Sequence, residues 1–588
     1  MDFSKLSPET AAIIEEHRKK GHEDSFSHSG FADVESLFSS PDPDVRTRVV
    51  FTLECREETD LSEVLDDGIE INTDFGNVRT GIAEVGRLHR LTEHPGVLRV
   101  SVARPLGRHM DAAAPVVGVP QFTKRTGLGG KGVIIGVIDS GIDPDHPAFS
   151  ERILRVWDQT VPHGGGFSYD DRRRKPGKYD YGAEFVKPEF GEIKDTNGHG
   201  THVSGIASGS ESLYKGVAPE ADLVVVKVDY NNLSAHVIDG MRYIFDVAEE
   251  MNRPAVVNIS LGTHMDPHDG TSPMCVAIDK ASGPGRVVCC AAGNEALDDI
   301  RAEAVVEGPK ITKVHFSASP SAGNRIFLTG WYSGKERLEV CLSERGEEGR
   351  NFQKILPQGE NKAPYLSYGF SGGWKARVST PGADPVNHDH EIFIFLLAPE
   401  GHGASEREFT LHLKNPAGKK GVRVDMWGEK GIKFKEPHAR GDMTVSSPGC
   451  STSAITAGAY TTKKYWNDSG GHRRGIEDLD LGTVVLTSSR GPRRDGLAKP
   501  DLVAPGVMIV SARSRDASFD TKDVVDRLHV VDSGTSMASA FVSGVVALLL
   551  SKEPDLDATK IKERLRYKDR SQIPGSDPLS CGHGLIQL

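Results

Sequence analysis

Four apolar runs constrain this chain more than anything else in it: KGVIIGVIDS (131–140), ADLVVVKV (221–228), PAVVNISLG (254–262) and GRVVCCAAGN (285–294). Their apolar stretches do not alternate with polar residues, so each suits a strand buried on both faces. The segments between them have helical spacing. In VIDGMRYIFDVAEEM, Val237, Met241, Ile244, Phe245 and Ala248 fall on one face. Strands alternating with helices predict an α/β fold, a parallel sheet covered by helices on both faces. The reactive edge of such a sheet is formed by the C-terminal strand ends. Asp139 and Asn294 stand at two of those ends.

From 306 to 440 the pattern changes. KVHFSAS, RIFLTGWYS, RLEVCLS, EIFIFLLA, EFTLHLKN and VRVDMWG alternate with period two between Gly, Pro and Asn clusters, as an antiparallel β-sandwich does. SSPGCSTSAITAGAY and SSRGPRRDGLAKPDLVAPG then resume the first pattern, so the sandwich is an insertion that follows Asn294. Ahead of the sheet, RTRVVFTLEC reads as a strand, VGRLHRLTEHPG as a short helix and VLRVSVARPL as a closing strand. These form a small α/β unit. Several units are expected, because 588 residues exceed what one ordinary core holds.

A net charge of −12 argues against a surface built for nucleic acid. The start, MDFSKLSPETAAIIEEHRKK, has no apolar core behind a basic stretch and reads as a polar helix from Ser7-Pro8. The best apolar run, GVVALLL, falls short of the ~20 residues that span a bilayer, so no membrane association is expected. Seven cysteines, with Cys289 and Cys290 adjacent on a buried strand, read as buried thiols. The expectation is a reducing, cytoplasmic compartment, with export lacking a cleaved signal left open.

Three distant stretches carry the chemistry: VIDSGIDPDHP around Asp139, NGHGTHVSG around His199 and SGTSMASAFVSG around Ser536. A serine hydroxyl is a poor nucleophile unless an imidazole removes its proton, and a carboxylate best holds that imidazole's tautomer. Ser536 opens a helical stretch whose dipole favours negative charge developing nearby. His202 competes with His199 as the base, and Asp143 and Asp145 read as solvated loop carboxylates. His388 and His390 read as solvated strand-edge residues, one partner short of a metal site. The basic run Arg172-Arg173-Arg174-Lys175 reads as a solvated face.

Residues, flanks and the chain order Asp, His, Ser together resemble the subtilisin-type serine peptidases. The resemblance implies that Asp139 orients His199, that His199 is the general base, and that His202 is packing. It makes Asn294 the oxyanion-hole amide, a donor worth roughly 2.7–4 kcal/mol in a subtilisin, with the Ser536 N–H as the second donor. Ser260, Leu261 and Gly262 would pair with substrate backbone beside the S1 pocket. Departures are Ala540, where the family usually has proline, and Ala148, where an aspartate often serves a calcium site. The segment DYNNLSAHVI also lacks the glycines that commonly line the outer cleft. No metal or organic cofactor is implied.

The expected organisation is an N-terminal arm (1–45), a propeptide-like inhibitory domain (46–111), the first peptidase part (112–305), an inserted jelly-roll-like sandwich (306–440) and the second peptidase part (441–588). Clostridial germination proteases are similar in carrying an inserted jelly roll and a retained propeptide. A self-cut is expected in RHMDAAAP, with Arg108, His109, Met110 and Asp111 all open as the residue before it. The expected function is a serine endopeptidase acting on polypeptide, made as a self-inhibited precursor and restricted in specificity. The propeptide-like domain would be its intramolecular inhibitor. The alternative is a catalytically silenced relative that binds or regulates partners through its sandwich.

Overall fold

The computed structural model describes residues 48–102 and 112–588, except 57–58, 66–67, 75–77, 85–86, 162–175, 180, 229–233, 321–323, 347–365, 381–382, 400–404, 417, 419–420, 430, 569 and 576. The expected helix at Ser7-Pro8, the basic run 172–175 and the stretch 108–111 lie outside the described residues. The chain forms two units, 1–107 and 108–588.

In the first unit, strands Arg48–Cys55, Ile69–Asp74, Val78–Glu84 and Val97–Val102 form an antiparallel sheet, accompanied by the helix Leu88–Glu93. Leu53, Ile69, Ala83, Leu88, Leu91, Val97 and Val100 make its core. The Ile69–Asp74 and Val78–Glu84 hairpin goes beyond the sequence reading, because IEINTD and VRTGIAE hold too few apolar residues to announce strands.

The second unit is built on a ten-stranded sheet whose inner strands run parallel and whose two edge strands run antiparallel. The four apolar runs lie side by side at its centre as Arg286–Ala291, Ala255–Ile259, Ile134–Asp139 and Asp222–Lys227. Alternate residues of one strand feed two cores. Ile135 and Val137 pack on the face of helices His199–Ser208 and Thr535–Lys552, while Ile134 and Ile138 pack on that of Ser234–Glu250 and Pro273–Ala281. Thr535–Lys552 is long and apolar enough to cross a membrane by composition, yet it is buried against the sheet on nearly all sides. Each buried Phe541, Val545 or Leu548 side chain contributes about 1.5–3 kcal/mol, which anchors the helix that carries Ser536.

The insertion is a sandwich of a seven-stranded and a four-stranded antiparallel sheet. They share a core that includes Leu328, Val378 and Ile394 from one sheet and Phe316, Phe409 and Leu411 from the other. It begins with strand Arg301–Val306, ahead of the boundary at 306. The inward positions of that strand are Ala302, Ala304 and Val306, and alanine gives the period-two signal little contrast. This entering strand pairs antiparallel with the leaving strand, Arg301 opposite Arg440, so the insertion closes on itself without disturbing the main sheet. Arg301, fully buried, reaches Asp425 at 2.7 Å and Asp442 at 2.5 Å across the junction.

Candidate active site

Asp139 ends its strand fully buried, and its carboxylate meets the His199 ring, with Oδ1 2.8 Å and Oδ2 3.0 Å from Nδ1. Oδ1 also accepts the Ser140 N–H at 2.7 Å. This geometry makes Nδ1 a donor and leaves Nε2 unprotonated in the neutral ring, free to accept a proton. The helix bearing His199 starts hard against the strand-end turn. Gly198 takes φ +89°, and a Cβ at Gly200 would stand 2.1 Å from the Gly141 carbonyl oxygen. Two glycines flanking His199 are therefore a steric requirement of the approach.

Asp195 was not singled out from the sequence, yet it organises this turn. Its buried carboxylate accepts from Ser140 Oγ (2.8 Å), Gly198 N (2.8 Å), Thr201 N (2.9 Å) and Thr201 Oγ1 (2.7 Å). The signal for it is a carboxylate three residues before a helix-opening glycine, DTNG, a local pattern that satisfies otherwise unpaired helix N–H groups. Asp143 departs from expectation: it is 2 % exposed rather than solvated, and accepts the backbone N–H of Arg515 at 3.0 Å. Its partner lies 372 residues along the chain, where no local pattern reveals it. Asp145 is exposed and pairs with the Arg515 guanidinium. His390 is likewise buried, stacked on Tyr332 at 5.0 Å, while His388 sits in the preceding turn. Among the described residues no group of three side chains could hold a metal ion.

His202 is buried, with Nε2 3.2 Å from the carbonyls of Ile509 and Val530. Two acceptors facing one nitrogen make it a donor, so His202 ties helix to strands. Ser536 lies in the first turn of its helix with Oγ donating to the Ser260 carbonyl at 3.3 Å, and Ser260 Oγ returns a bond to the Ser536 carbonyl at 3.3 Å. Among the described residues no hydrogen bond joins Ser536 to His199. Asn258 also pins the helix, its Oδ1 accepting from Ser539 Oγ (2.7 Å) and Ser543 Oγ (3.2 Å).

Asn294 Oδ1 accepts the Thr535 N–H at 3.0 Å, which commits the amide's orientation and leaves Nδ2 as a donor. The Ser536 N–H, in the first helical turn, has no intrahelical carbonyl. Leu261 and Gly262 lie beyond the Ala255–Ile259 strand, and the next residue, Thr263, pairs with Ser447. One cavity of about 830 Å³ brings together His199, Ser536, Asn294 and Ser260–Gly262, and Ser319, Glu429 and Ile432 of the sandwich form part of its wall.

Burial by itself would push the His199 pKa down, but the charge and hydrogen bond of Asp139, with Asp532 and Asp195 farther off, hold it up at about 9. Only the neutral imidazole can take a proton from serine, and below the pKa that fraction grows about tenfold per pH unit. Inactivation by a fluorophosphonate is therefore expected to accelerate with rising pH and level off near pH 9. A stopped-time labelling series would check this, and a plateau already reached at pH 6 would contradict it.

The sequence profile of the Subtilase family matches residues 130–389 and 428–584. The chain belongs to the subtilase family. Among curated subtilases it is 26% identical to "Subtilisin-like protease SBT1.4" of Arabidopsis thaliana over 81% of this chain and 62% of that protein. It is 23% identical to "Serine protease AprX" of Bacillus subtilis, over 88% of this chain and 80% of that one. The chain thus spans somewhat under two thirds of the plant relative's length. The solved "Clostridium Perfringens CspB protease" shares the fold with a TM-score of 0.61 at 23% identity, over 81% of this chain and 95% of that one.

Proposed function

We propose that this subtilase is a serine endopeptidase that hydrolyses peptide bonds through an acyl-enzyme on Ser536. The observation that carries the reading is His199, held by the buried Asp139 at 2.8 Å, in one cavity with Ser536 and Asn294. Ser536 Oγ attacks the carbonyl carbon of an extended peptide lying along Ser260–Gly262, and His199 Nε2 takes the hydroxyl proton. The oxyanion so formed is held by Asn294 Nδ2 and the Ser536 N–H. His199 then gives the proton to the leaving amine, and water, deprotonated in the same way, releases the acid. Family membership and the relatives' description as proteases support this chemistry.

The protein is made as a self-inhibited precursor, and residues 46–111 are the inhibitor. A separate core for the N-terminal unit supports this, since a segment to be removed needs to fold by itself. Specificity is restricted, which the contribution of the inserted sandwich to the cavity wall supports. All seven cysteines are buried and none is in a disulfide, which supports a reducing compartment. One observation favours the silenced alternative: Ser536 Oγ is engaged by Ser260 rather than by His199.

Intact mass and N-terminal sequencing of the wild type beside Ser536→Ala separate the readings. Self-processing is expected to yield a new N-terminus within 108–115 in the wild type only. A wild type that stays whole yet labels with a fluorophosphonate would remove the precursor reading and leave the peptidase. A wild type that stays whole and unlabelled would favour the silenced relative.

A further inference from the structure

The cavity beside Ser536 carries more negative charge than its chemistry needs. Its lining includes the carboxylates of Glu295, Asp298, Glu406 and Glu429, against Lys433 and the His264 imidazole. Ser260–Gly262 and Gly293–Asn294 line the slot beside Ser536; Glu295 follows the second segment, and Glu429 bonds to the residues that follow the first. Glu295 follows Asn294, with Oε2 accepting the Asn294 N–H at 2.6 Å and the Ser489 hydroxyl at 3.1 Å. Glu429 comes from the sandwich, just past strand Val422–Gly428. Its Oε1 accepts from Thr263 Oγ1 at 2.5 Å and the His264 N–H at 2.8 Å, immediately beyond Gly262. Its second oxygen makes no hydrogen bond among the described residues.

His264 links the two carboxylates. His268 Nδ1 donates to the Asp266 carbonyl at 2.9 Å, so its Nε2 can receive a proton from His264 Nδ1 at 3.0 Å. His264 Nε2 is buried, without a hydrogen-bond partner among the described residues, and 3.6 Å from Glu295 Oε2. Burial favours the neutral His264 ring, but Glu295 beside it favours the protonated form, which would offset part of that carboxylate's charge; Glu429 keeps an uncommitted oxygen. An apolar side chain entering this slot would strip water from carboxylates without replacing their partners, which is costly. A guanidinium or ammonium would replace those partners with charge-assisted hydrogen bonds.

Resting on the peptidase reading above, we infer that the S1 subsite takes a basic side chain, arginine or lysine, and that Glu429 of the inserted sandwich is its specificity-determining residue. The insertion then has a chemical role: it brings a carboxylate to the cavity that takes the P1 side chain. The same preference puts the self-cut after Arg108.

The test is a panel of fluorogenic peptides that differ only at P1 (Arg, Lys, Gln, Leu, Glu), cleaved by the full chain while a fluorophosphonate counts active sites. The wild type is expected to show kcat/KM for Arg and Lys at least about tenfold above Leu, Gln and Glu. In Glu429→Gln, which keeps the acceptor for Thr263, the Arg-to-Leu ratio is expected to fall at least about fivefold. Glu429→Lys is expected to turn the preference toward Glu, a gain that misfolding cannot produce. A labelled wild type that prefers Leu or Glu, or an Arg-to-Leu ratio unchanged in Glu429→Gln, overturns the inference and leaves the peptidase intact. A wild type that does not label overturns both.

Discussion

His199→Ala is expected to lower kcat about a millionfold, the loss seen when the corresponding residue of a subtilisin is removed. The physical reason lies in what remains. Without the imidazole, the Ser536 hydroxyl has the Ser260 carbonyl as its acceptor, and a neutral carbonyl cannot take up the proton. The Asn294 amide and the Ser536 N–H still stabilise an oxyanion, so a residue of about a thousandfold over uncatalysed hydrolysis should persist. Substrate binding along Ser260–Gly262 does not involve the ring, so the loss should fall on kcat. Single-turnover kinetics on a peptide ester, with the folded state checked by circular dichroism, would measure it. A loss of only tenfold would mean that another base serves Ser536, and His202, committed to two carbonyls, is poorly placed to do so.

Asp139→Asn is expected to cost about ten-thousandfold, with a second signature that a mere structural defect would not produce. Asparagine keeps the size of the side chain and can still accept the Ser140 N–H. Turned that way, it faces His199 Nδ1 with an NH2 group, which favours the tautomer protonated on Nε2. That tautomer cannot accept the Ser536 proton. The substitution also removes the charge that most raises the His199 pKa, now about 9. The pH–rate midpoint should therefore move down while the plateau falls. A fallen plateau with an unmoved midpoint would show that Asp139 is not what sustains the imidazolium.

Some of this architecture was legible because its causes are local. A strand buried on both faces must be apolar along its length, so KGVIIGVIDS and its counterparts announced the parallel sheet and the strand end that holds Asp139. The sandwich strands with strong alternation, such as His390–Leu397 and Arg407–Lys414, were equally plain. Arg301–Val306 and Leu366–Gly369 were not, since alanine and short length leave little contrast. Paired antiparallel strands derive their stability from the partner as much as from themselves.

Within the site the same division holds. Asp139, His199, Asn294 and Ser536 could be nominated from sequence because each sits in a turn whose glycines and small residues are dictated by close approach, as Gly200 against Gly141 shows. Asp143 and Glu429 could not be ranked, because what makes each of them matter is a partner 372 or 166 residues away. The sequence by itself determined the layer order, the catalytic chemistry to expect and the family. Only the tertiary structure decided which carboxylates are buried, which carbonyl accepts the Ser536 hydroxyl, and that the insertion reaches the cavity with Glu429. Backbone pattern is written in neighbouring residues, whereas charge environment is summed over every element that folds close by.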